Sequence, residues 1–420
     1  MTSNFFDCIT LADKETVQSA VIAWVFSDKC EGLTFDSRLN ALGELFGVPS
    51  SELNGIDSIV AKTEWQHMDI LFELREKGNV KAILVIENKI KSGLHDNQLE
   101  RYVEQLSSKN ILNKKGKDTN TKNPYNNVKY YLAYLTLLER DNIDIEVLDK
   151  SGNKVTWKNF CYKELCDKLN ESLTASASAD AGKHIDHQIA KSYCKSIEQM
   201  FDKSNEAMGD PKLIFEKNDD YIQEHKLGHV LQVYYFEKIK GQISDYIREV
   251  FKKERAEISD IRVNYGLQSD DAEFLIEIEA GNIPGFNEYL KSFKELDSNS
   301  SVNESEVVFW ITFQKNSFVI AIGKDYDKKD CHEQNCQWLE KRKLLRRDKC
   351  SDKNQTIWDE YKKNTKWRCN TPKKSYPRMS ISIDANKILE LDNQHWYDNP
   401  EDSLKIGFKK CIETLRQIFP

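Results

Sequence analysis

Three charged residues stand at the ends of two apolar segments that alternate like buried β-strands. Asp69 opens the segment DILFEL (69–74), and Glu87 and Lys89 follow the apolar run of AILVIENKI (82–90). A charged group in a buried strand costs several kcal/mol unless it is paired or bound to a metal ion. The pattern therefore predicts that these charges serve a site.

The spacing of the three residues indicates one kind of chemistry. Side chains of a strand alternate between the two faces of a sheet, so Glu87 and Lys89 share a face, and Asp69 joins them if the segments pair as a hairpin. Two carboxylates brought together repel unless a divalent cation lies between them, and hard oxygen ligands suit Mg²⁺ or Mn²⁺. Such an ion activates water and stabilises charge on a phosphoryl oxygen, while the lysine helps to hold or deprotonate the water. The residues thus predict phosphodiester hydrolysis.

The surrounding periodicity predicts a compact α/β domain that positions these residues. Gly78 and Asn79 offer turn chemistry between the two strands, which favours an antiparallel hairpin. Helices are expected at 14–27, 37–46, 95–106 and 161–170, and strands at 63–74, 82–90 and 128–138.

Taken together, these segments resemble the PD-(D/E)XK nuclease superfamily. Its signature is an aspartate followed, across a hairpin, by D/E-x-K; Asp69 and Glu87-Asn88-Lys89 match it, with Met68 where a proline often stands. The resemblance covers about residues 10–170 and includes a Q-x-x-x-Y motif at Gln98 and Tyr102. It implies a restriction-endonuclease-like core, a mixed central sheet flanked by helices, of the branch common among bacterial restriction-like and phage-defence proteins.

The resemblance also implies a role for each matching residue. Asp69 and Glu87 would ligate Mg²⁺ or Mn²⁺, and Glu15, on the first helix, would complete the metal shell. Lys89 would assist the attacking water, and Gln98 and Tyr102 would orient substrate or ligands.

The remainder of the chain divides by composition. Residues 1–170 form the expected nuclease domain, and the small, polar stretch 171–184 is typical of a linker. A helical segment is expected at 185–256. Alternating strands and a closing helix predict a C-terminal α+β domain at 257–420, with a role in substrate recognition or regulation.

Positive charge is concentrated late in a chain whose net charge is −7. Residues 341–378 hold 14 Lys and Arg against 4 Asp and Glu, with aromatic residues among them. Such a segment favours contact with nucleic acid, although a solvated helix face explains it equally well. A second lysine-rich loop follows the Gln98 helix and is either a substrate contact or a mobile surface loop. The candidate nucleic-acid-binding residues are Lys114, Lys115, Lys117, Lys341, Arg342, Arg346 and Arg347.

The cysteines and the N-terminus bear on the compartment. Ten cysteines lack a framework spacing, and the N-terminus has no basic segment followed by an apolar one, which predicts a cytoplasmic protein with free thiols. No apolar run approaches the length of a membrane span. Cys331, His332 and Cys336 match no usual zinc spacing and are expected to be incidental.

Three functions remain open on the sequence. The first is a Mg²⁺- or Mn²⁺-dependent nuclease, with DNA favoured as its nucleic-acid partner. The second is an effector ribonuclease with the same site, since nothing in the sequence reads a 2′-hydroxyl. The third is a catalytically silent binding module. A homodimer would suit the cutting of both DNA strands, and an activating ligand or partner would act at the C-terminal domain.

Overall fold

A computed structural model describes much of the chain. The described residues are 14–90, 98–113, 117–139, 144–149, 152–177, 179–216, 218–253, 260–264, 272–279, 307–314, 316–324, 379–391 and 395–418. The chain forms two compact units: the first comprises Met1–Gly209 and Asn218–Leu227, and the second Asp210–Lys217 and Gly228–Pro420.

The described helices and strands follow one another along the chain. The helices are α1 (Glu15–Phe26), α2 (Phe35–Phe46), α3 (Ser50–Leu53), α4 (Gln98–Ser107), α5 (Tyr162–Ser176), α6 (Ile185–Gly209), α7 (Pro211–Phe215), α8 (Asp220–Glu224), α9 (Gly228–Lys253), α10 (Ala385–Leu389) and α11 (Pro400–Ile418). The strands are β1 (Ser58–Trp65), β2 (Met68–Glu76), β3 (Asn79–Lys89), β4 (Asn110–Leu112), β5 (Asp118–Lys122), β6 (Lys129–Thr136), β7 (Ile145–Leu148), β8 (Lys154–Cys161), β9 (Asp260–Asn264), β10 (Glu273–Glu279), β11 (Val307–Gln314), β12 (Ser317–Lys324) and β13 (Met379–Asp384).

The first unit is built on a mixed six-stranded sheet with the order β1-β2-β3-β6-β8-β7. β1, β2 and β3 pair antiparallel, β3, β6 and β8 pair parallel, and β7 returns antiparallel to β8. A parallel pair needs a crossover connection, and the one from β3 to β6 contains α4. A mixed sheet flanked by helices confirms the fold class expected from the sequence.

Both faces of the sheet are buried at the β2–β3 hairpin. On one face Leu71, Ile83 and Val85 pack with the apolar stripe of α4, in a cluster that includes Leu99 and Val103. Since successive side chains alternate, the intervening residues face α1, where Phe26 meets Phe72 edge to face with ring centroids 6.4 Å apart. Burial on both faces explains why these strands are almost continuously apolar in sequence.

Two tight turns fix the register of the first three strands. Lys77 and Gly78 join β2 to β3 with φ values of 50° and 82°, and Gln66 and His67 join β1 to β2 with φ values of 51° and 72°. Such left-handed pairs match the right-handed twist of a hairpin. The hairpin expected around Gly78 is therefore confirmed. The single strand expected at 63–74 is wrong: the segment contains the end of β1, a turn and most of β2. The sequence does not reveal this turn because neither Gln66 nor His67 is a glycine.

The stretch expected to be a linker, 171–184, differs in the structure. Its first residues are the last turns of α5, where Ser176 is fully buried and accepts a hydrogen bond from Thr34 N at 2.9 Å. Ser172 donates to Ser37 O at 3.1 Å. The small side chains that resemble a flexible linker let α5 approach α2 closely. The first compact unit continues through α6 to Gly209.

The second unit is α+β, as the sequence indicates. Its five described strands form an antiparallel sheet with the order β13-β12-β11-β10-β9. Aromatic side chains join it to the helices: Phe274 lies 6.0 Å from Phe236 of α9 and 5.4 Å from Phe408 of α11, between ring centroids. Among all described residues, none of the helices is both long and apolar enough to cross a membrane. The basic segment 341–378 and the Cys331–His332–Cys336 group lie outside the described residues.

Candidate active site

The acidic pair lies where β2 begins and β3 ends. Ile70 pairs with Ile86 in the antiparallel ladder, so Asp69 and Glu87 are the next residues beyond that pair and lie side by side. The backbone N–H of Asn88 donates to Asp69 Oδ2 at 2.7 Å, which holds the aspartate at the end of β3. The turn at Lys77 and Gly78 sets this register because it joins β2 to β3.

Glu87 and Lys89 form a buried ion pair on the face toward α4. Lys89 Nζ lies 2.7 Å from Glu87 Oε1, and the two side chains are 9% and 1% exposed. Alternation along β3 puts both on one face, with Asn88 on the other, as the sequence predicts.

α4 brings the Q-x-x-x-Y motif onto the same glutamate. Gln98 Nε2 donates to Glu87 Oε1 at 2.6 Å and to the Tyr102 hydroxyl at 2.7 Å. The Tyr102 hydroxyl donates in turn to the carbonyl of His67 at 2.6 Å, which ties α4 to the β1–β2 turn. One helical turn separates Gln98 from Tyr102, so both reach the site from one helix face.

Glu15 approaches from the opposite helix layer. It is the first residue of α1 and is half-buried, and its Oε1 accepts a hydrogen bond from the Ile90 N–H at 2.8 Å. Its charge also raises the pKa of Asp69, although less than other groups do. The structure therefore brings Glu15 to the end of β3, beside the residues that the sequence singles out.

Burial makes the acidic pair hard to ionise. Removal from water raises the pKa of Asp69 to about 6, against the opposing hydrogen bond from Asn88 and the attraction of Lys89. Burial, followed by repulsion from Asp69, raises the pKa of Glu87 to about 7 although Lys89 favours its charged form. For Lys89 burial acts to lower the pKa, but the attraction of Glu87 outweighs it and raises the pKa above its ordinary value. The site holds more negative charge than its one lysine can balance.

The donor set fits a divalent cation of the magnesium type. Glu87 Oε1 is engaged by Lys89 and Gln98, whereas the buried Oε2 has no hydrogen-bond partner among the described residues. That part of the chain contains no group of three or more His, Cys, Asp or Glu residues arranged to enclose a metal ion. Mg²⁺ needs no such cage, because it keeps several waters and binds through one or two carboxylates together with substrate phosphates. The Glu87 Oε2 atom, which has no hydrogen-bond partner among the described residues and lies next to Asp69, suits Mg²⁺ binding through one or two carboxylates.

The candidate nucleic-acid-binding residues are only partly described. Lys117 is exposed and directly precedes β5, in the two-stranded hairpin of β4 and β5 that follows α4. The other candidates, Lys114, Lys115, Lys341, Arg342, Arg346 and Arg347, lie outside the described residues.

Sequence reasoning did not single out two residues that border the site. Asn88 is fully buried and hydrogen-bonded to α1, and Tyr162, the first residue of α5, donates to its side chain at 2.8 Å. The one clue in the sequence is an asparagine inside an apolar strand. Its partner is 74 positions away, and no local pattern connects the two.

The arrangement defines a class of protein. A mixed sheet with helices on both faces, carrying two carboxylates and a lysine at the end of a hairpin, has the architecture of a restriction-endonuclease-like core. Residues 3–195, slightly less than half of the chain, match the protein-family profile described as the PD-(D/E)XK nuclease superfamily. Neither the curated proteins nor the solved structures gave a significant match to the chain.

Proposed function

We propose that the first unit is a Mg²⁺- or Mn²⁺-dependent nuclease that hydrolyses phosphodiester bonds in DNA, with Asp69 and Glu87 as metal ligands. The observation that carries the proposal is the burial and incomplete hydrogen bonding of the Glu87 carboxylate. It is buried beside a second carboxylate, and one of its oxygens has no hydrogen-bond partner among the described residues. Such an oxygen costs free energy unless a ligand uses it.

The metal ion and the protein side chains have separate tasks in this proposal. A bound divalent ion would act as a Lewis acid on a phosphoryl oxygen and lower the pKa of water. Asp69 and Glu87 would hold it from adjacent strands. Glu15 would join them from α1 once the ion is bound, since the three carboxylates do not enclose a cation in the described structure. Because all three are set by the β2–β3 ladder and by the start of α1, the ligand positions are built into rigid elements.

Lys89 supplies the positive charge of the site. Its raised pKa keeps the amine protonated, so we assign it the tasks of donating hydrogen bonds to the attacking water and of balancing charge on the phosphate. Gln98 positions Glu87 through their hydrogen bond, and Tyr102 fixes Gln98 by bonding both that residue and the β1–β2 turn.

Positive charge in the segment that follows α4 supports a nucleic-acid substrate, and we retain DNA as the substrate favoured by the sequence. Lys109, Lys117 and Lys122 are exposed on or beside the β4–β5 hairpin, which follows directly from α4. We propose that this hairpin, with Lys114 and Lys115, contacts the phosphate backbone of the substrate. The residues Lys341, Arg342, Arg346 and Arg347 would add contacts from the C-terminal part of the chain.

Cleavage of supercoiled plasmid tests the proposal. We expect the parent protein to nick or linearise the plasmid with Mg²⁺ or Mn²⁺ and to be inactive in EDTA. Glu87→Gln and Lys89→Ala should each lower the rate by about 100-fold or more, since each removes charge from the reacting centre. Glu146→Gln, which changes an exposed glutamate of β7, is the matched control and should cut like the parent.

The same proteins separate the rival functions. Cutting of RNA alone would replace DNA as substrate and keep the hydrolytic centre. Cleavage that persists in Glu87→Gln would refute the site. A parent that binds no Mn²⁺ and cuts neither nucleic acid would favour the silent binding module.

Other parts of the sequence hypothesis stay predictions. They are a homodimer that cuts both strands, an activating ligand or partner at residues 257–420, a role in phage defence and a location in the cytoplasm.

A further inference from the structure

Asn88 is a buried amide whose polar atoms are all engaged. It lies between Glu87 and Lys89 in β3, with its side chain on the opposite face of the sheet. Its Nδ2 donates to the carbonyl of Glu15 at 3.2 Å and to Ser19 Oγ at 3.1 Å, and its Oδ1 accepts from the Tyr162 hydroxyl at 2.8 Å. A buried amide is tolerated only with such partners.

These contacts join three elements at one point. Ser19 and Glu15 belong to α1, Asn88 to β3 and Tyr162 to the start of α5. Both Asn88 and Tyr162 are fully buried. Burial also raises the pKa of the Tyr162 phenol well above its ordinary value, so the hydroxyl remains a neutral donor. The geometry is therefore a fixed three-way junction on the far face of the sheet from Lys89.

The junction holds the first turn of α1, from which Glu15 reaches the site. The residue before this helix, Lys14, makes no side-chain cap. The Asn88 side chain contacts the Glu15 carbonyl, while the Glu15 carboxylate receives the Ile90 N–H. The Asn88 N–H also holds Asp69 Oδ2. One residue thus contacts two of the proposed metal ligands without itself facing the metal.

We propose that Asn88 and Tyr162 are positioning residues that set the affinity of the site for its divalent ion by fixing Glu15 and Asp69. This inference rests on the proposed nuclease function. Loss of the Tyr162 hydroxyl leaves Asn88 Oδ1 without its donor, so the amide and the first turn of α1 can shift. The metal ligands are then less well organised, and a higher metal concentration compensates.

Tyr162→Phe tests the proposal because it removes only the hydroxyl. Mn²⁺ affinity is measured on the full chain by the loss of the free-ion electron paramagnetic resonance signal, and plasmid cleavage is followed as a function of Mn²⁺. We expect Mn²⁺ to bind about 3- to 10-fold more weakly, the loss typical of one buried hydrogen bond. The cleavage rate at saturating Mn²⁺ should stay within about twofold of the parent.

Tyr125→Phe is the matched control. Tyr125 is also buried, and its hydroxyl donates to Glu73 Oε1 at 2.6 Å and accepts from Lys62 Nζ at 2.7 Å, so its removal also deletes internal hydrogen bonds. A merely structural role predicts the same effect in both variants, whereas positioning predicts weaker Mn²⁺ binding in Tyr162→Phe alone.

The outcomes separate the two proposals. Parent-like Mn²⁺ affinity in Tyr162→Phe, or an equal loss in Tyr125→Phe, overturns the positioning role and leaves the nuclease standing. A parent that neither binds Mn²⁺ nor cuts nucleic acid overturns both. If Tyr162→Phe does not fold, Ser19→Ala takes its place, because it deletes another partner of Asn88 within a helix that tolerates alanine. Weaker Mn²⁺ binding by Ser19→Ala supports the proposal, and parent-like binding overturns it.

Discussion

At the scale of the residue, Glu87 links the stability of the protein to pH. Its pKa of about 7 lies above the ordinary glutamate value of 4.5, so between those values the folded state binds more protons than the unfolded state. The contribution of Glu87 to the free energy of unfolding is therefore fully present below pH 4.5 and is lost as the pH rises through about 7. We expect the free energy of unfolding in EDTA to fall by about 1 kcal/mol from pH 6 to pH 8, or about 2–4 °C in Tm.

Comparison with Glu87→Gln isolates this contribution from the histidines and other titrating groups. The variant cannot ionise at this position, so its Tm in EDTA should change less than that of the parent over the same pH range. The measurement is a thermal melt of both proteins at each pH. Parallel curves for the two proteins would contradict the raised pKa.

Gln98 provides a second test at the same scale. Its Nε2 donates to a carboxylate, and hydrogen bonds to charged groups contribute about 1.5–3 kcal/mol. We expect Gln98→Ala to lower the rate of DNA cleavage by about 10- to 100-fold, because Glu87 loses the contact that orients it.

Gln105→Ala is the control for Gln98→Ala. Gln105 lies on the same helix, is also buried, and accepts a hydrogen bond from the Leu112 N–H at 2.9 Å, away from Glu87. Its loss should lower Tm and leave the rate per folded molecule near that of the parent. Equal rates in the two variants would show that Gln98 only supports the fold.

At the scale of the element, the side chain of Asn123 caps the C-terminal end of α4. The buried Asn123 donates through Nδ2 to the carbonyls of Gln105 and Ser108, both at 2.9 Å, and accepts at Oδ1 from the Tyr125 N–H at 3.0 Å. Terminal helix carbonyls have no partner within the helix, so this side chain satisfies groups that would otherwise be buried without one.

Asn123→Ala should therefore be strongly destabilising. We expect a loss of about 1–3 kcal/mol in the free energy of unfolding, measured by urea denaturation. Thr121→Ala, on the exposed strand β5, should stay within about 0.5 kcal/mol of the parent. A similar midpoint for Asn123→Ala and the parent would mean that water replaces the asparagine.

The elements also show what the sequence could predict. The β2–β3 hairpin and α4 follow from strong local patterns: continuous apolar strands around Gly78, and the stripe of Leu99 and Val103. β7 and β8 were missed because their segments, IEVL and KVTWKNFC, are short or polar. Such strands are recognisable only by what they pair with, which is a property of the sheet and not of the segment.

The site follows the same division. Asp69, Glu87 and Lys89 converge because hairpin register and strand alternation are local rules, so their spacing predicts their proximity. The sequence also signals Gln98 and Tyr102 through helical spacing. The junction of Asn88 with Tyr162 depends on how α5 docks after five further strands, β4 to β8, and no periodicity contains that information.

At the scale of the whole molecule, net charge opposes the proposed substrate. A chain at −7 repels DNA on average, so binding must depend on local clusters of lysine and on counterion release. The hairpin lysines Lys109, Lys117 and Lys122 are such a cluster. In a Glu87→Gln background, which should bind without cutting, their combined replacement by alanine should weaken binding to a DNA duplex by about 10-fold or more at low salt.

A control with the same change in net charge separates local contact from overall repulsion. The control triple variant replaces three lysines that are ion-paired with glutamates, namely Lys154, Lys168 and Lys203. Fluorescence anisotropy at increasing salt gives the slope of log Kd against log salt, which should decrease by about 1 for each hairpin lysine that contacts a phosphate. The control triple should keep the slope of its Glu87→Gln background. An equal loss of DNA affinity in the two triple variants would mean that DNA binding depends on the total charge of the chain. The β4–β5 hairpin would then not be a specific DNA contact.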